Sequence, residues 1–421
     1  MTPIFEDYRT MLKSYGIDLS QYDTDKLWID RLIIRGFDKN GNDRKILRLK
    51  VTDELEYEYK RYADSPKNDE LETWEESYKR LEPQIIDKEQ ESISVIKQAV
   101  KKYPNYQYIL TTSMGKDSKL VQYLLDKCDV KYRAIFNNTT LDCTDVYKEV
   151  KHHPEIEIVQ ANFVPFYKAV KLYGTPARHS RWCCSIYKEG GTKDYLKNIN
   201  NILFFMGMRN EESSTRSDYD FEYINPQWQN KTWNGYLPIR KWTELELWLY
   251  ELHNNIPINS KYKKGYGRVG CHVACPFYTK STWILDKYWY PYNFNRWHNI
   301  LKDDFEKGEK WCRLNCTESE YHLNWNGGIV REEPTDEVIK EFMEYKGFDN
   351  YELTKQYFTK TCKSCGKKVY KKDEVAMNLK YHGRNTNTFY CKKCFMKEMN
   401  WTKEDWDKQV NNFKQQGCTL F

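Results

Sequence analysis

The sequence lacks a long apolar segment: in its 421 residues no run approaches the roughly 18 apolar residues that a membrane-spanning helix needs. The first ten residues, MTPIFEDYRT, contain no basic region followed by an apolar one, so no secretion signal is expected. Internal repeats and low-complexity tracts are also missing, and 67 basic against 61 acidic residues give a net charge of only +6. These absences argue against membrane, secreted and disordered proteins, and they predict a cytoplasmic protein of two or three domains.

Cysteine, by contrast, is plentiful. The sequence has 13 cysteines, and most of them occur in close pairs. Because disulfides are disfavoured in a reducing cytosol, such pairs predict ligands of a metal ion or a cluster.

The composition divides the chain into three regions. Residues 1–98 form an N-terminal accessory region without a chemical motif, and the charged stretch Asp53–Glu91 within it predicts a solvated helix. Within residues 99–330, short apolar strands alternate with amphipathic helices from about Tyr106 onwards. This alternation predicts an α/β fold with a doubly wound parallel sheet, which binds ligands at the carboxyl ends of its strands. Residues 331–421 are predicted to hold a helix, a small zinc lobe and a tail.

One short segment has the features of an anion-binding loop. Ser113-Met114-Gly115-Lys116-Asp117-Ser118 follows the first predicted strand of the α/β region and opens a helix. Backbone N–H groups at a helix N-terminus, together with a lysine and two hydroxyls, suit a phosphate or sulfate group. A turn of this kind before a helix is also a common helix cap, so the loop alone does not distinguish an anion-binding site from a cap.

Further motifs along the chain occur in the order of a known family. SMGKDS resembles the SGGKDS-type pyrophosphate loop of the adenine nucleotide alpha-hydrolase superfamily, and the segments after it resemble the phosphoadenosine phosphosulfate (PAPS) reductase family. These segments are Asn138-Thr139-Thr140 with Asp145-Val146-Tyr147, Arg181-Trp182-Cys183-Cys184, Gly207-Met208-Arg209-Asn210-Glu211-Glu212-Ser213 with Arg216, and the run from Pro238-Ile239 to Gly270-Cys271. The resemblance covers roughly residues 100 to 280.

The resemblance implies an adenine nucleotide alpha-hydrolase-like fold and a set of nucleotide-binding residues. These are Ser113, Met114, Gly115, Lys116, Asp117, Ser118, Asn138, Arg209 and Arg216. Among them Lys116, Asp117, Arg209 and Arg216 are the candidate catalytic residues, and the two arginines are candidate anion clamps because a guanidinium can bind two oxygens at once. The alternative for both arginines is a surface ion pair with Glu211, Glu212 or Asp218. Asp117 is also the expected contact for Mg²⁺ if the nucleotide is ATP.

The central cysteines allow two metal-site hypotheses. In the subgroup that reduces adenosine phosphosulfate, adjacent cysteines and a later Cys-x2-Cys pair hold a [4Fe–4S] cluster. The resemblance therefore implies a cluster on Cys183, Cys184, Cys271 and Cys275, although the later pair here has three intervening residues. Alternatively, Cys271 and Cys275 join Cys312 and Cys316 in a zinc site or a cluster. Buried thiols without a metal are the third possibility.

The C-terminal cysteines have zinc-ribbon spacing. Cys362-x2-Cys365 and Cys391-x2-Cys394 predict a structural Zn²⁺ site, whose ion would supply much of the folding free energy of a small lobe. Lysines crowd this lobe, and they are either contacts for nucleic acid phosphates or an ordinary solvated surface. Cys418 is a candidate nucleophile by its likeness to the C-terminal tail cysteine of sulfonucleotide reductases, or else part of an idle tail.

Three functions remain open at this point. The favoured hypothesis is ATP-dependent sulfur transfer to a nucleic acid, with a sulfur donor protein as partner. The second is reduction of PAPS or adenosine phosphosulfate to sulfite, with a thioredoxin-type reductant. The third is a non-enzymatic nucleotide sensor or docking module.

Overall fold

A computed structural model describes most of the chain. The described residues are 1–173, 175–176, 182–212, 219–223, 232–306, 318–325, 340, 362–367, 369, 372–383, 386, 388–415 and 420. The chain divides into two compact units. One unit comprises Met1–Leu172, Cys183–Ala274 and Tyr278–Phe294, and the other comprises Tyr173–Trp182, Cys275–Phe277 and Asn295–Phe421. Of the helix predicted at the start of the region 331–421, the structure describes only Lys340.

Eleven strands occur among the described residues. They are β1 (Thr2–Pro3), β2 (Trp28–Asp30), β3 (Ile33–Phe37), β4 (Asp43–Val51), β5 (Tyr57–Arg61), β6 (Gln107–Thr112), β7 (Arg133–Asn138), β8 (Ile156–Gln160), β9 (Ile202–Phe205), β10 (Glu222–Tyr223) and β11 (Trp233–Tyr236).

Fourteen α-helices occur in the same part of the chain. They are α1 (Glu6–Ser14), α2 (Trp74–Lys102), α3 (Lys116–Lys127), α4 (Thr144–Lys151), α5 (Phe166–Tyr173), α6 (Gly191–Leu196), α7 (Glu244–His253), α8 (Ser260–Lys263), α9 (Lys280–Trp289), α10 (Pro291–Glu306), α11 (Glu318–Asn324), α12 (Lys372–Tyr381), α13 (Lys392–Glu398) and α14 (Lys403–Gln415).

The larger sheet has the strand order β10-β11-β9-β6-β7-β8. Every neighbouring pair is parallel except β10 with β11 at one edge. Apolar side chains are buried on both faces of this sheet: Leu110 packs in one hydrophobic cluster with Leu124 and Trp248, and Ile109 packs in another with Phe204. The predicted α/β class with a doubly wound, mostly parallel sheet is therefore confirmed.

The N-terminal region contains a second, antiparallel sheet with the order β1-β2-β3-β4-β5. The prediction of a solvated helix across Asp53–Glu91 is wrong in its first half, because residues 57–61 pair with β4 as a strand. Helix α2 begins only after Thr73, whose side chain accepts the N–H of Glu76 in a capping box. One face of α2 is buried, with Ile85 fully covered.

The register of strands β6 and β9 places two loops side by side at the carboxyl edge of the larger sheet. Strands β6 and β9 are neighbours, and Leu110 lies opposite Phe205. The residues that follow each strand, 113–115 and 206–209, therefore leave the sheet side by side. This is the edge at which parallel sheets bind ligands.

Candidate functional site

The loop between β6 and α3 is a tight turn held by its own side chains. Met114 has a left-handed backbone with φ of 60°, and its N–H donates to Thr112 Oγ1 at 3.1 Å. The hydroxyl of Ser118, in the first turn of α3, donates to the carbonyl of Gly115 at 2.9 Å. Of the predicted loop residues, Ser113 is exposed, whereas Met114, Gly115 and Ser118 are buried. The turn thus sets a helix N-terminus at the sheet edge, where an anion is favoured.

Two glycines permit close approaches that a larger residue would block. A Cβ on Gly115 would lie 3.1 Å from both Ser113 Oγ and Tyr262 Oη. A Cβ on Gly207 would lie only 2.6 Å from the carbonyl carbon and oxygen of Asp117. Gly207 therefore allows the loop after β9 to lie against the backbone at the start of α3.

Lys116 is buried and surrounded by polar partners. Its backbone N–H donates to Tyr262 Oη at 3.1 Å, and its ammonium lies 3.0 Å from Asp117 Oδ2 and 3.4 Å from Glu244 Oε1. Burial acts to lower the pKa of Lys116, but the neighbouring Tyr262, Asp117 and Glu244 outweigh this effect and raise it. Lys116 is therefore a fixed positive charge at physiological pH.

Arg209 connects the two loops. It is 3% exposed, and its Nε donates to Asp117 Oδ1 at 2.6 Å while Nη1 donates to Glu211 Oε2 at 2.8 Å. Burial acts to raise the pKa of Asp117, but Lys116 and Arg209 outweigh it and hold that pKa below its usual value. Asp117 is thus an ionised carboxylate between two cations. Arg209 does form the alternative ion pair with Glu211, but its guanidinium is buried and also binds Asp117.

Glu211 also orients helix α7. Its Oε2 accepts the backbone N–H of Glu244, the first residue of that helix, at 2.6 Å. The two predicted cations, Lys116 and Arg209, are therefore accompanied by three carboxylates, namely Asp117, Glu211 and Glu244. Sequence reasoning assigned no role to Glu244 or Tyr262, although Tyr262 belongs to one of the matched segments.

Glu251 lies behind the loop on α7. It is 1% exposed, and its Oε1 has no hydrogen-bond partner. Burial raises the pKa of Glu251 well above its usual range, although Lys116 opposes the shift. Burial therefore favours the neutral form of Glu251.

Asn138 ends the neighbouring strand β7. Its Oδ1 accepts hydrogen bonds from the N–H of Thr140 and from the hydroxyl of Tyr147, both at 2.9 Å, and its Nδ2 donates to Gln160 at 3.0 Å. These bonds orient the Asn138 side chain at the same edge of the sheet as the loop. Arg216 lies outside the described residues.

The C-terminal cysteines converge on one point. The sulfurs of Cys362, Cys365, Cys391 and Cys394 all lie within 4.8 Å of one another, and those of Cys365 and Cys391 are 3.7 Å apart. Tetrahedral zinc with Zn–S bonds of about 2.3 Å sets its sulfurs about 3.8 Å apart, so the donor set fits this ion. Burial acts to raise the pKa of Cys362, but backbone N–H groups of Cys391, Cys365 and Ser364 lower it to about 7, which favours the thiolate.

The central cysteines do not form such a group. Among the described residues, no set of three or more metal-binding side chains other than the C-terminal four lies within single-ion distance, and Cys183, Cys184, Cys271 and Cys275 are all described. The [4Fe–4S] hypothesis for these four stays a prediction, because a cluster spreads its ligands over several irons. Cys312, Cys316 and the candidate nucleophile Cys418 lie outside the described residues.

Comparison with known proteins identifies the central segment. Residues 107–276 match the model of the phosphoadenosine phosphosulfate reductase domain. This segment, which contains the loop, Asn138 and Arg209, is therefore a PAPS reductase domain. The rest of the chain is not covered by that model.

Two individual relatives share 30% and 24% identical residues with this chain over the aligned segments. An uncharacterized protein of Methanocaldococcus jannaschii is 30% identical over 233 residues, which cover 54% of this chain and 56% of that protein. The chain thus spans about half the length of the archaeal relative. An adenosine 5'-phosphosulfate reductase of Bacillus cereus is 24% identical over 207 residues, covering 48% of this chain and 85% of the reductase.

A search of solved structures gives a weaker likeness. The crystal structure of a PAPS reductase from Candida auris, in complex with phosphate, shares 18% identity with a TM-score of 0.36, covering 43% of this chain and 87% of that one. This likeness carries no conclusion about the site. No described helix is long and apolar enough to cross a membrane.

Proposed function

We propose that this protein is an ATP-dependent enzyme of sulfur chemistry that activates and thiolates a nucleic acid acceptor. The PAPS reductase domain supports a nucleotide-binding enzyme of this superfamily. The nucleotide phosphates would lie at the N-terminus of α3, next to Lys116 and Arg209. Sulfur transfer then proceeds in two steps. An acceptor oxygen attacks the α-phosphorus and pyrophosphate leaves; sulfide-level sulfur from a donor protein then attacks the activated acceptor atom, and AMP leaves with the acceptor oxygen.

The observation that carries the choice of ATP is the set of carboxylates beside the cations. Asp117 contacts both Lys116 and Arg209, and Glu211 contacts Arg209. Glu244 contacts Lys116 and also the N-terminal ammonium of Met1. Three carboxylates next to those cations would work against an anionic ligand that arrives without a metal ion. A triphosphate arrives with Mg²⁺, which binds carboxylates together with phosphate oxygens.

The residues fit a magnesium-bound triphosphate by donor chemistry. Asp117 and Glu244 have carboxylate oxygens, the hard ligands that Mg²⁺ prefers, and these oxygens now pair with cations that the ion would partly replace. When bound, the ion would neutralise charge on the phosphates. Lys116 and Arg209 would hold the oxygens of the leaving pyrophosphate, and the N–H groups at the start of α3 would orient them.

The C-terminal lobe supports a nucleic acid as acceptor. Its four clustered sulfurs suit a structural zinc ion, and exposed lysines such as Lys363 and Lys393 lie beside the ligands. Lysines on a rigid zinc lobe are a means of binding phosphate groups.

A second function has its own support. Reductases of adenosine 5'-phosphosulfate are among the relatives of this chain, at 24% identity. In that reaction a thiolate attacks the sulfate sulfur and releases AMP, and a second thiol from a thioredoxin-type reductant then frees sulfite. This function needs a cysteine that can reach the nucleotide.

Product analysis distinguishes the two functions. The purified chain would be incubated with Mg²⁺ and ATP plus bulk tRNA or DNA and a sulfide source, and separately with PAPS or adenosine phosphosulfate plus a dithiol. We expect pyrophosphate and a thiolated nucleoside from the first mixture and no sulfite from the second. Sulfite without pyrophosphate would establish the second function instead. Lys116→Met should abolish turnover, whereas Lys101→Met, on an exposed helix position, should retain it.

A further inference from the structure

A groove lines the outer face of the N-terminal sheet, within the same compact unit as the loop. Its volume is about 640 Å³, and it is formed by the β2–β3 turn, strands β4 and β5, and the start of α9. Five basic side chains line it, against the single carboxylate of Glu58. The basic residues are Arg31, Arg48, Lys50, Lys60 and Lys280.

Only two of these cations have an anionic partner. Lys50 pairs with Glu58 at 2.8 Å, and Lys280 pairs with Asp53. Arg31, Arg48 and Lys60 are exposed and form no ion pair within the described part of the chain. The groove therefore has three uncompensated positive charges.

The strand register places two of those charges against each other. Arg48 on β4 lies directly opposite Lys60 on β5, two residues from the complementary pair Lys50 and Glu58 on the same face. Like charges directly opposite on neighbouring strands destabilise a sheet. An anion between Arg48 and Lys60 would remove this repulsion.

The third cation, Arg31, lies in a turn. Arg31 and Leu32 form the two-residue connection between β2 and β3, with φ values of 46° and 65°. Such turns normally use glycine or asparagine, because both residues need a left-handed backbone. The turn holds Arg31 at the rim of the groove, where it adds to the charge of Arg48 and Lys60.

We propose that this groove binds the sugar–phosphate backbone of a nucleic acid. The groove is open to solvent, and its three uncompensated cations come from two neighbouring strands and a turn. The repeated negative charges of an extended polyanion can contact several of these cations at once. The identity of the polyanion rests on the proposed function, in which the acceptor is a nucleic acid.

Salt-dependent binding tests the inference. Fluorescence anisotropy of the whole chain would be measured with single-stranded RNA, single-stranded DNA and duplex DNA over a range of salt concentrations. The variant Arg31→Gln/Arg48→Gln/Lys60→Gln should bind at least about tenfold more weakly at low salt, with a salt slope reduced by about one for each lost phosphate contact. The control Lys97→Gln/Lys101→Gln/Lys131→Gln loses the same charge from exposed positions elsewhere.

The outcomes separate this inference from the proposed function. Equal affinity of both triple variants would overturn the groove as a nucleic acid site. A loss restricted to binding of polyglutamate, with nucleic acid binding unchanged, would also overturn it in favour of an acidic protein. A loss of RNA or DNA binding in the groove variant supports the inference even if the wild type releases no pyrophosphate from ATP. Stronger effects on RNA or on DNA would identify the acceptor.

Discussion

Replacement of Gly207 by alanine tests how the two loops form the site. The new Cβ would lie 2.6 Å from the carbonyl carbon and oxygen of Asp117. Ordinary contacts begin near 3.4 Å, so these atoms must separate by about 0.8 Å. Because both sides of the contact are backbone, no flexible side chain can move out of the way. Either Asp117 and the start of α3 shift, or Arg209 is carried away from them.

The free-energy cost of the Gly207→Ala substitution follows from the general cost of overpacking. Overpacking typically costs about 1–3 kcal/mol. If that free energy is lost from nucleotide binding, the dissociation constant rises by roughly 5- to 150-fold. Isothermal titration with Mg²⁺ and a non-hydrolysable ATP analogue measures this effect, and urea unfolding measures any share lost from stability.

Gly267→Ala provides the matched control. A Cβ at Gly267 would meet only Thr2 Oγ1, at 3.9 Å, and should change neither binding nor stability. If Gly207→Ala bound the nucleotide as tightly as the wild type and unfolded at the same urea concentration, the close contact between the two loops would be refuted as a determinant of the site.

Three further predictions concern the loop, the C-terminal lobe and a buried carboxyl group. Tyr262→Phe leaves the buried N–H of Lys116 without its acceptor and should lower the free energy of unfolding by about 1–3 kcal/mol in urea titrations; an unchanged midpoint would contradict the role of the hydroxyl. Metal analysis should find stoichiometric zinc in the wild type and in Cys128→Ser, outside the group, whereas Cys391→Ser should lose it. Burial raises the pKa of Asp286 to about 7, so its contribution to stability is complete below about pH 4 and is lost as the pH rises through 7. Relative to the wild type, Asp286→Asn should therefore gain up to about 4 kcal/mol between pH 4 and 8, and a pH-independent difference would contradict the assignment.

The α/β region could be predicted from the sequence because its signals are local. Strand β6 and helix α3 show their periods within a dozen residues, and the loop between them has a recognisable composition. The N-terminal sheet was harder to predict, because charged residues mask the alternation in β4 and β5. In β4 the sequence Arg48-Leu49-Lys50-Val51 does alternate, and this signal could have indicated a strand.

The electrostatic partners of the site could not be predicted in the same way. Asp117 and Arg209 are 92 positions apart in sequence, and the partnership depends on the order of β6 and β9 in the sheet. Glu244 reaches Lys116 only because α7 begins beside the loop. No single-sequence pattern encodes such distances, so the contact of Glu244 with Lys116 emerges only from the fold.

Measurements of nucleotide binding test most directly the central claim that the site binds ATP with Mg²⁺. The chain would be titrated with a non-hydrolysable ATP analogue and with PAPS, each with Mg²⁺ and with a chelator, in the wild type and in Lys116→Met. The account predicts that the ATP analogue binds only with Mg²⁺ and that Lys116→Met abolishes binding. Tight magnesium-independent binding of PAPS, or equal binding of the ATP analogue to Lys116→Met, would contradict it.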